Sequence, residues 1–277
     1  MKPSILYKLA RKIRLPFVRK RLLRKLFKRH GLKLQDIYTF NDDQFYIYKV
    51  NDFFIPNEML VEEISYQSQF EKCRNESLFA YTPARGDTIL DIGAGLGEET
   101  IYYSHLVGEP GQVYALEANP KVFEVLKKTI ELNKLSNVSP DNVAIFSENG
   151  RVKLAGDQHS YEAIYVTEPD SSSPSIPAVR LDHFIAEKRI KKIDLLKINI
   201  EGAERFIVDT LQPAQLLAIR HVAIACHDFR FHREGNAFFK TKELIIRFLQ
   251  QNGFEIQIRN TETDYINDWV YGINKFT

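Results

Sequence analysis

Cysteine is nearly absent: Cys73 and Cys226 are the only two in 277 residues. Two thiols make no disulfide framework, and neither stands in a CxxC or other metal-ligand spacing, so no metal site is expected. A reducing, cytoplasmic compartment is the natural default. No run of about 18 apolar residues exists, so no spanning helix is expected. There are no internal repeats. Acid is missing from the first part of the chain, where the earliest carboxylate is Asp36. The overall balance of 44% hydrophobic and 27% charged residues is that of an ordinary globular protein.

What the acid-free stretch does contain is base. Residues 1–33 hold thirteen Lys or Arg, leaving 25 bases against 36 acids, a net of −11, in the remainder. A basic head on an acidic body marks an interaction segment. Ile5, Leu6, Leu9, Ile13, Phe17, Leu22, Leu23, Leu26 and Phe27 recur at roughly helical spacing, with Pro16 as a break. The apolar residues are too interrupted for a secretory leader. The pattern predicts a basic amphipathic helix pair over 1–35 that packs on its own domain or another subunit, or lies on an anionic membrane surface. A peripheral membrane or subunit contact is therefore expected. Nucleic acid is a weaker fit, because residues 83–277 have no aromatic-interleaved basic stretch and no NPPY-type motif.

Residues 36–82 read as a cover region. DQFYIYKV (43–50) alternates like a strand, a short strand precedes Pro56, and 57–82 reads as helical. From residue 83 to 277 strands and helices alternate. Strands are expected at 88–91, 113–117, within 138–146, at 194–199 and at 221–226. Helices are expected at 98–105, 120–133, 204–211 and 241–251. Segments 151–154 and 163–166 suit a hairpin, and 167–177 reads as a loop. The last strands, 254–259 and 269–273, are too closely spaced for a parallel crossover, so an antiparallel ending is expected. The predicted class is α/β: a doubly wound, mostly parallel, seven-stranded Rossmann-like sheet.

DTILDIGAGLGEET, residues 87–100, is the strongest local signal. A strand ends near Asp91, and Gly93, Ala94, Gly95 and Gly97 fill the turn before a helix containing Thr100. Glycine lets the backbone turn tightly and lets a ligand approach closely. A dinucleotide turn needs a third glycine at the position of Glu98, and Glu98 and Glu99 would oppose a pyrophosphate. Asp91 instead suits a cationic amino-acid ligand, such as the methionine part of S-adenosyl-L-methionine. Glu117, twenty residues after Gly97, is placed to accept both ribose hydroxyls. Ala118 follows it, and Asn142 and Val143 are candidates to flank the adenine.

LDIGAGLGEET, YALEANP (114–120), VRLDHFI (179–185) and LLKINIEGAE (195–204) resemble the FkbM family of methyltransferases over roughly residues 60–230. That family shows a DxGAxxGxxT turn, an acidic strand end and a KIDVEGAE segment, and the last is the most specific. The resemblance implies a class I methyltransferase fold, S-adenosyl-L-methionine as cofactor, and O-methylation of hydroxyls on a sugar, glycan or natural-product small molecule. Asn199 stands where the family usually has Asp. Asn keeps hydrogen-bonding capacity but cannot be a carboxylate base and is a poorer ligand for a hard cation.

Candidate catalytic groups follow the fourth and fifth strands, where substrates of open sheets bind. They are Asn199, Glu201, His227 and Asp228. A neutral His227 is the expected general base, oriented by Asp228 or Glu201. Glu204 reads as a helix-surface acid. His232, Arg230 and Arg233 are weaker candidates for acceptor contact, and His105 and His159 read as structural. Specificity is expected in loops 155–178 and 228–240. Two rival functions remain at this point: an NAD-type dehydrogenase on a similar sheet, and a non-catalytic nucleoside-binding scaffold docked through the basic head.

Overall fold

The computed structural model describes residues 4–13, 15–155, 164–166 and 175–276. His159, and residues 156–163 and 167–174 of the expected specificity loop 155–178, lie outside them. Helices α1 (Ile5–Lys12) and α2 (Pro16–Arg29) come first. They are followed by an antiparallel meander of β1 (Leu34–Phe40), β2 (Phe45–Val50) and β3 (Phe53–Asn57). Leu23, Leu26 and Phe27 of α2 bury against Tyr46, Tyr48 and Ile55 of this meander. Phe45 and Ile47 point to its other face and pack on Val122 and Val125. The period of two thus gives the small sheet two apolar faces.

Residues 57–82 are helical only over α3 (Tyr66–Asn75). Ser65 caps it, its hydroxyl accepting from the Ser68 amide while Ser68 Oγ accepts from the Ser65 amide. That capping box fixes the start of the helix well inside the expected span.

The large sheet is built from β4 (Thr88–Ile92), β5 (Gln112–Leu116), β6 (Val138–Asp141), β11 (Ile193–Ile198), β12 (Ile219–Ala225), β13 (Phe254–Ile258) and β14 (Trp269–Asn274). Its order is β13-β14-β12-β11-β4-β5-β6. All neighbours are parallel except those of β14, which is antiparallel to both β12 and β13. The expected seven-stranded, mostly parallel sheet with an antiparallel ending is what forms. β11 is buried at every position, as a strand covered on both faces must be. Leu90 and Leu196 face one core with Ile245 and Leu249, while Ile89 and Leu195 face the other with Ile101 and Tyr103.

Crossover helices are α4 (Thr100–Val107), α5 (Pro120–Asn133), α6 (Leu181–Glu187), α7 (Ile207–Thr210), α8 (Pro213–Leu217), α9 (Asp228–Glu234) and α10 (Lys242–Gln251), with a short α11 (Asp264–Asn267) before β14. Pro120 occupies the first turn of α5, behind the Asn119 cap. The expected helix at 204–211 is instead a 3₁₀ turn (Ala203–Phe206) followed by α7. The first crossover helix starts at Thr100, not Glu98, because Leu96–Glu99 remain in the turn.

A second small sheet holds β7 (Ala144–Ile145), β8 (Gly150–Ala155), β9 (Ile164–Val166) and β10 (Ser175–Val179) in the order β7-β10-β8-β9. The hairpin expected from 151–154 and 163–166 forms as the β8–β9 pair. Residues 175–177 are not loop: Ile176 is buried, and β10 pairs with β8. Composition misled here, because Ser and Pro in TEPDSSSPSIP mask one buried isoleucine.

Candidate active site

The sheet order reverses between β4 and β11, and ligands of open sheets bind beyond the strand ends at such a point. The Gly93–Gly97 turn leaves β4 there, and Asn199 leaves β11. The two backbones nearly touch. A Cβ on Gly93 would lie 2.0 Å from the Asn199 carbonyl oxygen, and φ is +76°. Only glycine fits. Gly97 (φ +95°) answers a different need, since a Cβ there would press on Leu126 and Thr129 of α5.

The turn is tied from beneath by Lys197, 2% exposed in the middle of an apolar strand. Its Nζ donates to Asp91 Oδ1 at 2.8 Å and to the Gly93 carbonyl at 2.8 Å, and lies 3.3 Å from Glu99 Oε2. Burial alone would lower the lysine's pKa, but the Asp91 and Glu99 carboxylates outweigh it and raise it. Burial raises that of Asp91, against the pull of Lys197. The second Asp91 oxygen accepts from Thr100 Oγ1 at 3.0 Å.

A cavity of about 300 Å³ opens above this turn. Gly93, Ala94, Gly95, Glu117, Asn199 and Glu201 reach its wall. Glu117 Oε2 accepts from the Gly95 amide at 3.1 Å, and Oε1 from the Asn119 amide at 2.7 Å. Burial, partly offset by those amides, pushes Glu117 up to about 7. Burial also pushes Glu98 up to about 7.

Several expected contacts stand back from the wall. Asp91 is fully buried and both its oxygens are satisfied inside the protein, so it braces the turn and does not face a ligand. Thr100 holds Asp91. Asn142 donates to the Glu117 and Ala118 carbonyls at 2.8 and 3.0 Å, which fixes the end of β5. Ala118 packs with Ala144 and Phe146, and Val143 lines a separate depression near α6.

The catalytic expectations change most. His227 is 4% exposed, with Nε2 3.2 Å from Glu201 Oε1 and Nδ1 3.3 Å from Glu204 Oε1. Burial would depress its pKa; the two carboxylates, Glu204 foremost, overcome that and push it up to about 10. An imidazolium with both nitrogens engaged cannot accept a proton, so His227 is not the general base at neutral pH. Asp228 does not orient it. Asp228 Oδ1 instead accepts from the Thr241 and Lys242 amides at 2.8 and 2.9 Å, at the start of α10. Glu204 is wholly buried, not a surface acid, and accepts from the Thr241 hydroxyl at 2.6 Å and the Gly202 amide at 2.8 Å.

Glu201 does reach the cavity. Its φ is +53°, and Arg230 Nη1 donates to its Oε2 at 2.8 Å. Burial would raise its pKa, but His227 and then Arg230 lower it below the usual range. Arg230, His232 and Arg233 lie on α9 and not in a loop; Arg230 also stacks on Phe239, 4.0 Å from the ring centroid. His105 finds a partner in the Tyr66 hydroxyl at 2.9 Å.

Sequence reading missed Lys197 as a support residue, and used Glu98 and Glu99 only as charges opposing a pyrophosphate, not as wall residues for the cofactor. Lys197 carried a usable signal: one lysine inside IDLLKI, a strand that is apolar at 195, 196 and 198, must be paired to be buried.

The donor set also tests the cofactor. Six glutamates line the cavity (58, 76, 98, 99, 117 and 201) against two lysines (72 and 197). Such a wall suits a sulfonium and an ammonium, and opposes a pyrophosphate. Glu117 retains lone pairs for ribose hydroxyls.

Comparison with known proteins agrees. Residues 91–256 match the family described as Methyltransferase FkbM domain. A probable cobalt-precorrin-6B C(15)-methyltransferase (decarboxylating) of Sulfolobus acidocaldarius is 33% identical over 84 residues, 30% of this chain and 44% of that protein. A protein-L-isoaspartate O-methyltransferase of Methanococcus maripaludis is 35% identical over 92 residues, 33% and 39% of the two chains. These matches span less than half of either relative. The solved structure of a putative rRNA-methylase from Clostridium thermocellum is 16% identical, with 79% of this chain and 99% of that one covered at a TM-score of 0.45. With more than half of its length matched, the chain belongs to the FkbM methyltransferase family and uses S-adenosyl-L-methionine.

Proposed function

We propose that this methyltransferase acts on a hydroxyl oxygen of a sugar, glycan or natural-product small molecule. The observation that carries the reading is the placement of Glu201. It is an ionised carboxylate on the wall shared with the glycine turn, positioned to accept a hydrogen bond from a neutral hydroxyl.

The bound cofactor supplies an electrophilic methyl on a cationic sulfur whose departure as a neutral thioether drives the displacement. The residues that would hold it are Glu117 at the ribose hydroxyls, Gly93–Gly95 along the backbone edge, and Glu98 and Glu99 as counter-charge. Lys197 and Asp91 keep that edge rigid. Asn199 and Glu201 orient the acceptor oxygen. His227 and Arg230 make Glu201 a weak base. It therefore takes the proton as the new C–O bond forms and does not remove it beforehand.

Incubation with deuterated-methyl S-adenosyl-L-methionine and a panel of hydroxyl acceptors tests the reading. Mass spectrometry should find the label on oxygen. Label found only on nitrogen or carbon of an accepted substrate would overturn it. Glu201→Gln should lower kcat by about a hundredfold while leaving S-adenosylhomocysteine affinity within about twofold.

A further inference from the structure

Among the described residues nothing covers the outer face of α1 and α2. Their inner face is spent on the β1–β3 meander, and α1 is further anchored by Tyr7 OH donating to the Leu60 carbonyl at 2.6 Å. Outside remain Ile5 (77% exposed), Leu9, Leu15 and Phe17 (76% exposed). Ile5 and Leu9 share one helix face, and so do Phe17, Arg21, Lys25 and Lys28.

Among the described residues Lys8, Lys12, Arg21, Lys25, Lys28 and Arg29 have no carboxylate partner, whereas Arg19 and Lys20 are paired with Asp43 and Asp36. A surface that offers unpaired cations around large exposed apolar side chains matches one environment closely: anionic headgroups over acyl chains. Phosphate backbones would use the cations but not Ile5, Leu9 and Leu15. Among the described residues no helix is long and apolar enough to cross a membrane, so the contact would be peripheral.

We infer that the exposed face of α1 and α2 docks the protein on an anionic bilayer surface. The helices are already folded against the body, so docking orders no new segment. Glu58 and Met59, on the cavity wall, also line a depression of about 320 Å³ whose other walls include Tyr7 and Arg11 of α1. The inference rests on the helices alone and does not depend on which atom is methylated.

Co-sedimentation of the full chain with vesicles tests it. Binding is expected to vesicles of phosphatidylglycerol and phosphatidylcholine, weakening as salt shortens the Debye length, and not to phosphatidylcholine alone. Leu15→Glu with Phe17→Glu should lower the partition coefficient by about tenfold or more, and Arg21→Glu with Lys25→Glu by a similar factor. S-adenosylhomocysteine affinity should stay unchanged in both, which shows that they fold. Equal binding to both vesicle types, no binding to either, tighter binding to duplex RNA at equal salt, or a dimer dissociated by Phe17→Glu would each overturn it.

Discussion

Lys197 and Asp91 form an ion pair that is 2% and 0% exposed. Such pairs add little net stability, yet removing one partner strands a buried charge and costs about 3–5 kcal/mol. Lys197→Met should therefore lower the denaturation midpoint and also weaken S-adenosylhomocysteine, because the Gly93 carbonyl loses its donor. Asp91→Asn with Lys197→Met should recover part of the stability but not the affinity, as read by denaturant titration and calorimetry. Glu117→Ala should weaken S-adenosylhomocysteine by about tenfold or more, since it removes the acceptor for the ribose hydroxyls.

Two pH dependences follow from the residue environments. His227 is raised in the fold from 6.5 to about 10. Its contribution to stability is fully present below about pH 6.5 and is lost as pH rises toward 10. Urea midpoints measured between pH 6 and 10 should fall, and His227→Gln should flatten that fall. Glu98 and Glu117 are raised to about 7, so both become ionised above that pH. Affinity for the cationic cofactor should strengthen from pH 6 to pH 8, more than affinity for the uncharged-sulfur product. Calorimetry with both ligands checks the difference.

At the scale of elements, the glycine turn is the point of least tolerance. Gly93→Ala drives a Cβ into the Asn199 carbonyl and must part β4 from β11. Loss of cofactor binding, with a midpoint lowered well beyond that of Gly97→Ala, is the expected outcome; thermal denaturation of the two variants compares them. Gly97 meets side chains that can shift by a few tenths of an ångström.

Elements were legible in the sequence where their signal is local. Pro120 in its first turn marks α5, and short runs rich in apolar residues mark β4, β11 and β12. The glycine turn and the acid at the end of β5 fall within about thirty residues of chain. What could not be read depends on partners far away in sequence. Lys197 and Asp91 are 106 residues apart, and His227 and Glu204 are 23 apart. His227 was expected to be neutral with a single carboxylate, Asp228 or Glu201, orienting it; the Glu201 contact forms, but Glu204, read as a surface acid, adds the second carboxylate that traps the ring. Asp228 looked like its partner because adjacency in sequence stood in for adjacency in space.

Across the whole molecule, charge is divided by task. The cavity gathers glutamates, while the outer face of the N-terminal helices gathers unpaired cations. The meander joins the two, because Asn133 of α5 exchanges hydrogen bonds with both backbone groups of Phe54 at 3.0 and 2.7 Å. That link makes the outer face of the N-terminal helices and the cavity parts of one packed body.

A crystal structure grown with S-adenosylhomocysteine tests the central claim most directly. The ribose is expected within hydrogen-bonding distance of Glu117, with the amino-acid tail along Gly93–Gly95. Ligand density anywhere else at saturation, or a tail lying away from the Gly93 turn, would contradict the account.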